Sequence, residues 1–226
     1  IRLNSAMIHK DELDKELEVA QGYVGHVPFY FDIKGRQLRV TEVHNYESHL
    51  ELKLNRPIKV KTPTVVLFKA GADRALLKEV KEGNRLIFEG GPEYYVHQGE
   101  SLHLRDQTLE VGGPILLDYE LEKLAKAKAA GFSRYCLSYV EEQRDIDTLR
   151  EHVGDAEIIA KIENKRGLEY VTHSFRKEEN LSLMAARGDL YVEVERPHYI
   201  LEAVRRIIEK DPEATVGSRL LLSSIV

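Results

Sequence analysis

Two short segments bring a lysine and two carboxylates into a pattern that could do chemistry. Lys161-Ile162-Glu163-Asn164 closes an apolar run from Glu157 to Ile162, and Ala186-Arg187-Gly188-Asp189-Leu190 closes a second run from Leu181 to Ala186. Polar residues at the C-terminal ends of neighbouring parallel strands are the pattern of an α/β barrel, whose chemistry sits on that edge. Glu163 and Asp189 could hold one Mg²⁺ through oxygen and leave positions open for a substrate. Lys161 beside that metal could neutralise charge growing on a transferring phosphoryl group or on an enolate. Taken singly, a strand-end carboxylate more often caps the next helix, and a lone arginine more often lies on the surface. The order of the segments is what argues for function.

Two further segments extend the pattern. Arg2-Leu3-Asn4 stands near the start, and Phe31-Asp32-Ile33-Lys34-Gly35 is followed closely by Arg39. In order and approximate spacing, the four segments resemble those of the pyruvate kinase family, and the resemblance is strongest from Gly131 to Arg205. It implies Mg²⁺-dependent phosphoryl transfer between phosphoenolpyruvate and ADP, giving pyruvate and ATP. By the same resemblance Glu163 and Asp189 hold the metal and Lys161 meets developing charge. Arg2 and Arg39 clamp phosphate, for which a guanidinium fork is the matching shape. The Gly188 backbone receives the substrate carboxylate, and Asn4 and Asp32 help hold K⁺.

The chain also departs from that family. Ala6 stands where a serine is expected, with Ser5 one place early, and Ile33 replaces a threonine. Two of four expected K⁺ ligands are thus absent, which puts potassium dependence in doubt. Gly217-Ser218-Arg219-Leu220 stands in place of an Ala-Thr-Gln-Met segment, and Tyr191 replaces a glycine after the Arg-Gly-Asp-Leu motif. These changes leave three readings: an active kinase-type enzyme, a catalytically impaired homologue that binds a phosphorylated metabolite or a partner, and an Mg²⁺-dependent lyase or aldolase acting on pyruvate enolate.

The elements that must position these residues fall into three stretches. Residues 1–42 read as a strand end, a helix over Asp11 to Ala20 and a strand over Phe29 to Asp32, a first part of the barrel. Residues 43–112 carry many short β-prone runs separated by turns such as Asn55-Arg56-Pro57 and Gly90-Gly91-Pro92, the pattern of a small all-β domain. Only Ala72 to Glu82 reads there as a helix. By resemblance this insert is a lid. Residues 113–226 return to βα alternation, the second barrel part. Helices are expected at Leu116–Ala130, Ile146–Val153, from Leu168, and His198–Lys210 with Leu201, Val204, Ile207 and Ile208 on one face. Strands are expected at Tyr135–Val140, Ile158–Ile162, Leu181–Ala186 and Ala214–Val216. The fold class is therefore α/β, an incomplete TIM-type barrel with an inserted small β domain. Counted against the family, strands two to seven are present. Six strands cannot close an eight-stranded barrel, so the expectation is a fragment, a different closure, or a homo-oligomer or partner chain that supplies the missing edges.

Composition excludes other classes. The 226 residues carry a net charge of −5 without a basic cluster, so nothing points to nucleic acid. No apolar run approaches the ~20 residues of a membrane span. The single cysteine, Cys136, permits no internal disulfide and fits a reducing, cytoplasmic setting. Abundant charge, no Trp and two Met lean toward a thermophile. The histidines show no metal-binding spacing, and neither GxGxxG nor a P-loop is present, so ADP would need a loop-built site.

Overall fold

A computed structural model describes residues 1–5, 12–194 and 198–217. The chain divides into two compact units, Ile1–Arg36 with Ile115–Val226, and Gln37–Pro114. In chain order the first unit opens with β1 (Arg2–Asn4), α1 (Leu13–Gln21) and β2 (Tyr30–Ile33). The second unit holds β3 (Val40–Asn45), β4 (Leu50–Leu54), β5 (Ile58–Lys59), β6 (Thr64–Phe68), β7 (Asp73–Lys81), β8 (Arg85–Phe88), β9 (His103–Leu104) and β10 (Glu110–Val111). The first unit resumes with α2 (Asp118–Ala129), β11 (Arg134–Leu137), α3 (Gln143–Val153), β12 (Glu157–Ile162) and α4 (Lys165–His173). It ends with β13 (Leu181–Ala186), α5 (Arg187–Glu193), α6 (Tyr199–Lys210) and β14 (Thr215–Gly217).

In the first unit six parallel strands run in the order β1-β2-β11-β12-β13-β14 and curl into a half-barrel. Alternation along the strands decides which side chains meet the helices. Phe31 and Ile33 of β2, Tyr135 and Leu137 of β11, Ile158, Ala160 and Ile162 of β12, and Leu181, Leu183 and Ala185 of β13 all join one buried core. The helices add Leu13 and Leu17 from α1, Leu124 and Ala127 from α2, and Ile146 and Leu149 from α3. Gly154, with φ 67°, ends α3 in a backbone region that L side chains rarely adopt.

The face of α6 differs from expectation. Ala203 and Ile207 are buried, and Ile200 and Val204 pack beside them. Leu201 is 71% exposed and Ile208 40% exposed. Positions 200, 203, 204 and 207 form the i, i+3, i+4, i+7 stripe, whereas 201 and 208 fall to its side.

The second unit is antiparallel, with a six-stranded sheet in the order β3-β4-β8-β7-β6-β9 and a β5–β10 ladder. Its own core includes Leu52, Leu54, Val66, Phe68, Leu77, Leu86 and Phe88. The helix expected over Ala72 to Glu82 is instead β7, paired on both sides with β6 and β8. Ala75 and Leu77 point inward while Arg74, Leu76 and Lys78 face out, so two flanking strands and a period of two override helix-tolerant residues. Tyr94 to His97 forms no strand.

Candidate active site

The face of the parallel sheet opposite the helices carries the polar residues. The register aligns Asp32, Cys136, Ile159 and Ser182 on one rung, and Lys161 with Met184 on the rung above. Ser138 continues β11 at that upper level, its N–H bonded to the Ile33 carbonyl at 2.9 Å. Glu163 lies two residues beyond Lys161, so it rises from the same face at the C-terminal edge.

Asp32 is fully buried and surrounded by cations. Lys34 Nζ lies 2.6 Å and an Arg2 guanidinium nitrogen 3.3 Å from its Oδ2, and Lys161 Nζ lies 3.6 Å from Oδ1. Asp32 Oδ1 accepts no hydrogen bond among the described residues. Burial by itself would raise this carboxyl, but the Lys161 and Lys34 ammoniums hold it below the usual range. The Ser5 hydroxyl donates to the Asp32 backbone carbonyl at 2.6 Å and ties the end of β1 to that of β2.

Lys161 is equally enclosed. Its Nζ donates to Ser138 Oγ at 2.8 Å and lies 3.0 Å from Glu163 Oε1. Desolvation works against its charge, yet Glu163 and then Asp32 outweigh that and raise it. Lys34 shows the opposite balance: desolvation dominates and lowers it, in spite of Asp32. The two lysines therefore share a site without being equivalent.

Glu163 has both oxygens engaged, Oε1 by Lys161 and Oε2 by the backbone N–H of Tyr139 at 2.8 Å. Burial, with Asp189 adding to it, raises this carboxyl even against Lys161. Asp189 sits in the first turn of α5, directly after β13, and Gly188 precedes it in the same turn. Asp189 is thus close enough for its charge to act on Glu163.

Asn164 caps α4. Its side-chain oxygen accepts from Gly167 N at 2.8 Å, and its amide donates to Glu141 at 2.7 Å. Buried Glu120 of α2 accepts the Lys34 and Gly35 N–H groups at 3.1 and 3.2 Å and so fixes the turn that carries Lys34.

The structure thus brings Arg2, Asp32, Lys161, Glu163 and Asp189 into one electrostatic group. Asn4 is registered beside Asp32 in the β1–β2 ladder. Arg39 belongs to the second unit, where its guanidinium bonds Gln37 at 2.7 and 3.1 Å and the Gly99 carbonyl at 2.5 Å. Ile33 packs in the core, so that departure lies on the face away from the Asp32 carboxylate. Ala6, Ser218, Arg219 and Leu220 lie outside the described residues. Cys136 neighbours Asp32, but burial pushes its thiol up to about 12, which removes it as a nucleophile near neutral pH.

Sequence reasoning quoted Lys34 without giving it a role, although a spacing of two from Asp32 is the signal that both face one way. It missed Ser138, Tyr139 and Glu120, for which no local pattern exists.

No family model matches the sequence. Two curated relatives do align with it over the whole chain. A pyruvate kinase of Methanocaldococcus jannaschii is 26% identical over 243 aligned positions, covering 100% of this chain and 53% of the relative. The chain is pyruvate kinase-like. A pyruvate kinase of Thermoplasma acidophilum is 24% identical, again across 100% of this chain and over 44% of its own length. This pyruvate kinase-like chain therefore spans about half the length of the curated relatives it matches. Among its described residues no helix is long and apolar enough to cross a membrane.

Proposed function

We propose that this chain carries the phosphoryl-transfer centre of a pyruvate kinase-type enzyme, built on the C-terminal edge of an incomplete TIM-type barrel. The observation that carries the reading is the enclosure of Lys161 between Asp32, Ser138 and Glu163 on that edge. An ammonium whose position is set before substrate arrives needs little reorganisation when negative charge grows on a phosphoryl oxygen or an enolate oxygen.

The donor set suits a hard divalent cation. Glu163 and Asp189 offer only carboxylate oxygens, and no group of three or more metal-binding side chains occurs among the described residues. Mg²⁺ tolerates that, because it keeps waters and takes substrate oxygens to complete its shell. The strain of burying Glu163 next to another acid is also what a cation would relieve. When bound, Mg²⁺ supplies charge neutralisation on phosphate and enolate oxygens. Among this chain's own residues, Lys161 meets the developing charge and Arg2 clamps a phosphate, a role its 46% exposed side chain supports. The Gly188 N–H orients a substrate carboxylate. Substrates on this reading are phosphoenolpyruvate and ADP.

Calorimetric titration with oxalate, an enolate mimic, tests the reading with and without Mg²⁺. Binding that needs the metal and is lost in Glu163→Gln is the expected result. A folded chain that ignores oxalate under both conditions overturns it.

A further inference from the structure

The stretch Ser138-Tyr139-Val140 does something a strand end does not require. In a regular strand, N–H groups two residues apart point to the same neighbour. Here Ser138 N–H goes to Ile33 of β2 at 2.9 Å, while Val140 N–H goes to Lys161 of β12 at 3.2 Å. The backbone rolls over between them, at Tyr139, whose φ is 53°. A left-handed conformation in a residue with a Cβ costs on the order of 1 kcal/mol and persists where the surroundings over-determine it.

Those surroundings are specific. A methyl on Gly35 would overlap the Ser138 carbonyl oxygen, and a Cβ on Gly167 would sit 2.6 Å from the Val140 carbonyl oxygen. Two glycines, one after β2 and one in the first turn of α4, hold the rolled segment from either side. The N–H released by the roll does not return to a backbone carbonyl but ends on Glu163 Oε2 at 2.8 Å. One residue earlier, the Ser138 hydroxyl receives Lys161 Nζ at 2.8 Å.

We propose that the Ser138–Tyr139 turn is a positioning element of the site. Its hydroxyl anchors Lys161 and its amide anchors Glu163, so the segment just past β11 sets the separation between Lys161 of β12 and Glu163 just beyond that strand. The proposal rests on the reading of Lys161 and Glu163 as the working pair, and it adds Ser138, Tyr139, Gly35 and Gly167 as residues that act through them.

The test uses the ¹⁵N-labelled chain and follows the Tyr139 amide proton. An N–H bonded to a carboxylate lies downfield, so Glu163→Gln moves it upfield. Gly167→Ala, which pushes on Val140, moves it too and weakens Mn²⁺ binding about ten-fold by paramagnetic titration. Ser138→Ala lowers kcat about ten-fold with little change in KM, and Ser138→Thr, which keeps the hydroxyl, restores it. A Tyr139 amide unmoved by Glu163→Gln overturns the proposal. So does a Ser138→Ala variant with unaltered kcat and Mn²⁺ affinity. If the amide moves as expected but neither Mn²⁺ nor oxalate binds the parent chain, the positioning turn stands and the assigned chemistry falls.

Discussion

At the residue scale, the site is a set of buried charges that balance only together. Buried Asp32 lies against buried Lys34 and Lys161 and the half-exposed Arg2. Asp32→Asn should destabilise the chain by about 3 kcal/mol, because removing one member of a buried pair leaves the others uncompensated. Urea denaturation at pH 7 measures it. The folded carboxyl titrates below its ordinary value of 3.8, so its contribution is complete above that value. The gap between parent and variant should therefore be the same at pH 5 as at pH 7. It should begin to close only as the pH falls below 3.8 toward the lower folded value. Lys161→Met should abolish oxalate binding while a melting curve shows a folded chain.

At the scale of single elements, the turns between strand and helix do the positioning. Asn164 both caps α4 and holds Glu141. Asn164→Ala should cost about 1 kcal/mol in thermal or urea unfolding, the usual worth of such a cap. The helices matter through one face each. Leu149 of α3 is fully buried beneath the sheet, and Leu149→Ala should cost about 3 kcal/mol by the cavity it leaves. Leu201 of amphipathic α6 lies off the buried stripe and is exposed, and Leu201→Ala should change stability by less than about 0.5 kcal/mol.

At the scale of the whole molecule, two separate cores mean two separate cooperative units. Leu86 and Phe88 belong to the core of Gln37–Pro114, and Leu137, Ile158 and Leu183 to the other. Leu86→Ala should speed amide hydrogen exchange in β4, β7 and β8 and leave the protection of β11, β12 and β13 as it was. Uniform acceleration through both units would show instead that the chain unfolds as one.

Much of this was legible in the residues themselves. The alternation of Phe31, Ile33, Ile158, Ala160 and Ile162 with Asp32, Ile159 and Lys161 defines strands with one core face and one polar face. The polar residues just past the strand ends mark the edge where they gather. Local pattern suffices there because side-chain direction in a strand depends only on parity. It failed at Asp73–Lys81, where Leu76, Leu77, Lys78 and Glu79 suit a helix as well as a strand, and flanking strands settle the matter. It could not find Ser138 and Tyr139 either. A tyrosine has no intrinsic preference for φ near 53°, and the hydrogen bond that ends on Glu163 spans 24 residues. The residue types and the sheet edge were determined by sequence alone. The roll at Tyr139, the closure of Lys34 and Lys161 on Asp32, and the grip of Gly35 and Gly167 exist only once β2, β11, β12 and α4 have packed, because each depends on atoms that the chain brings close only by folding.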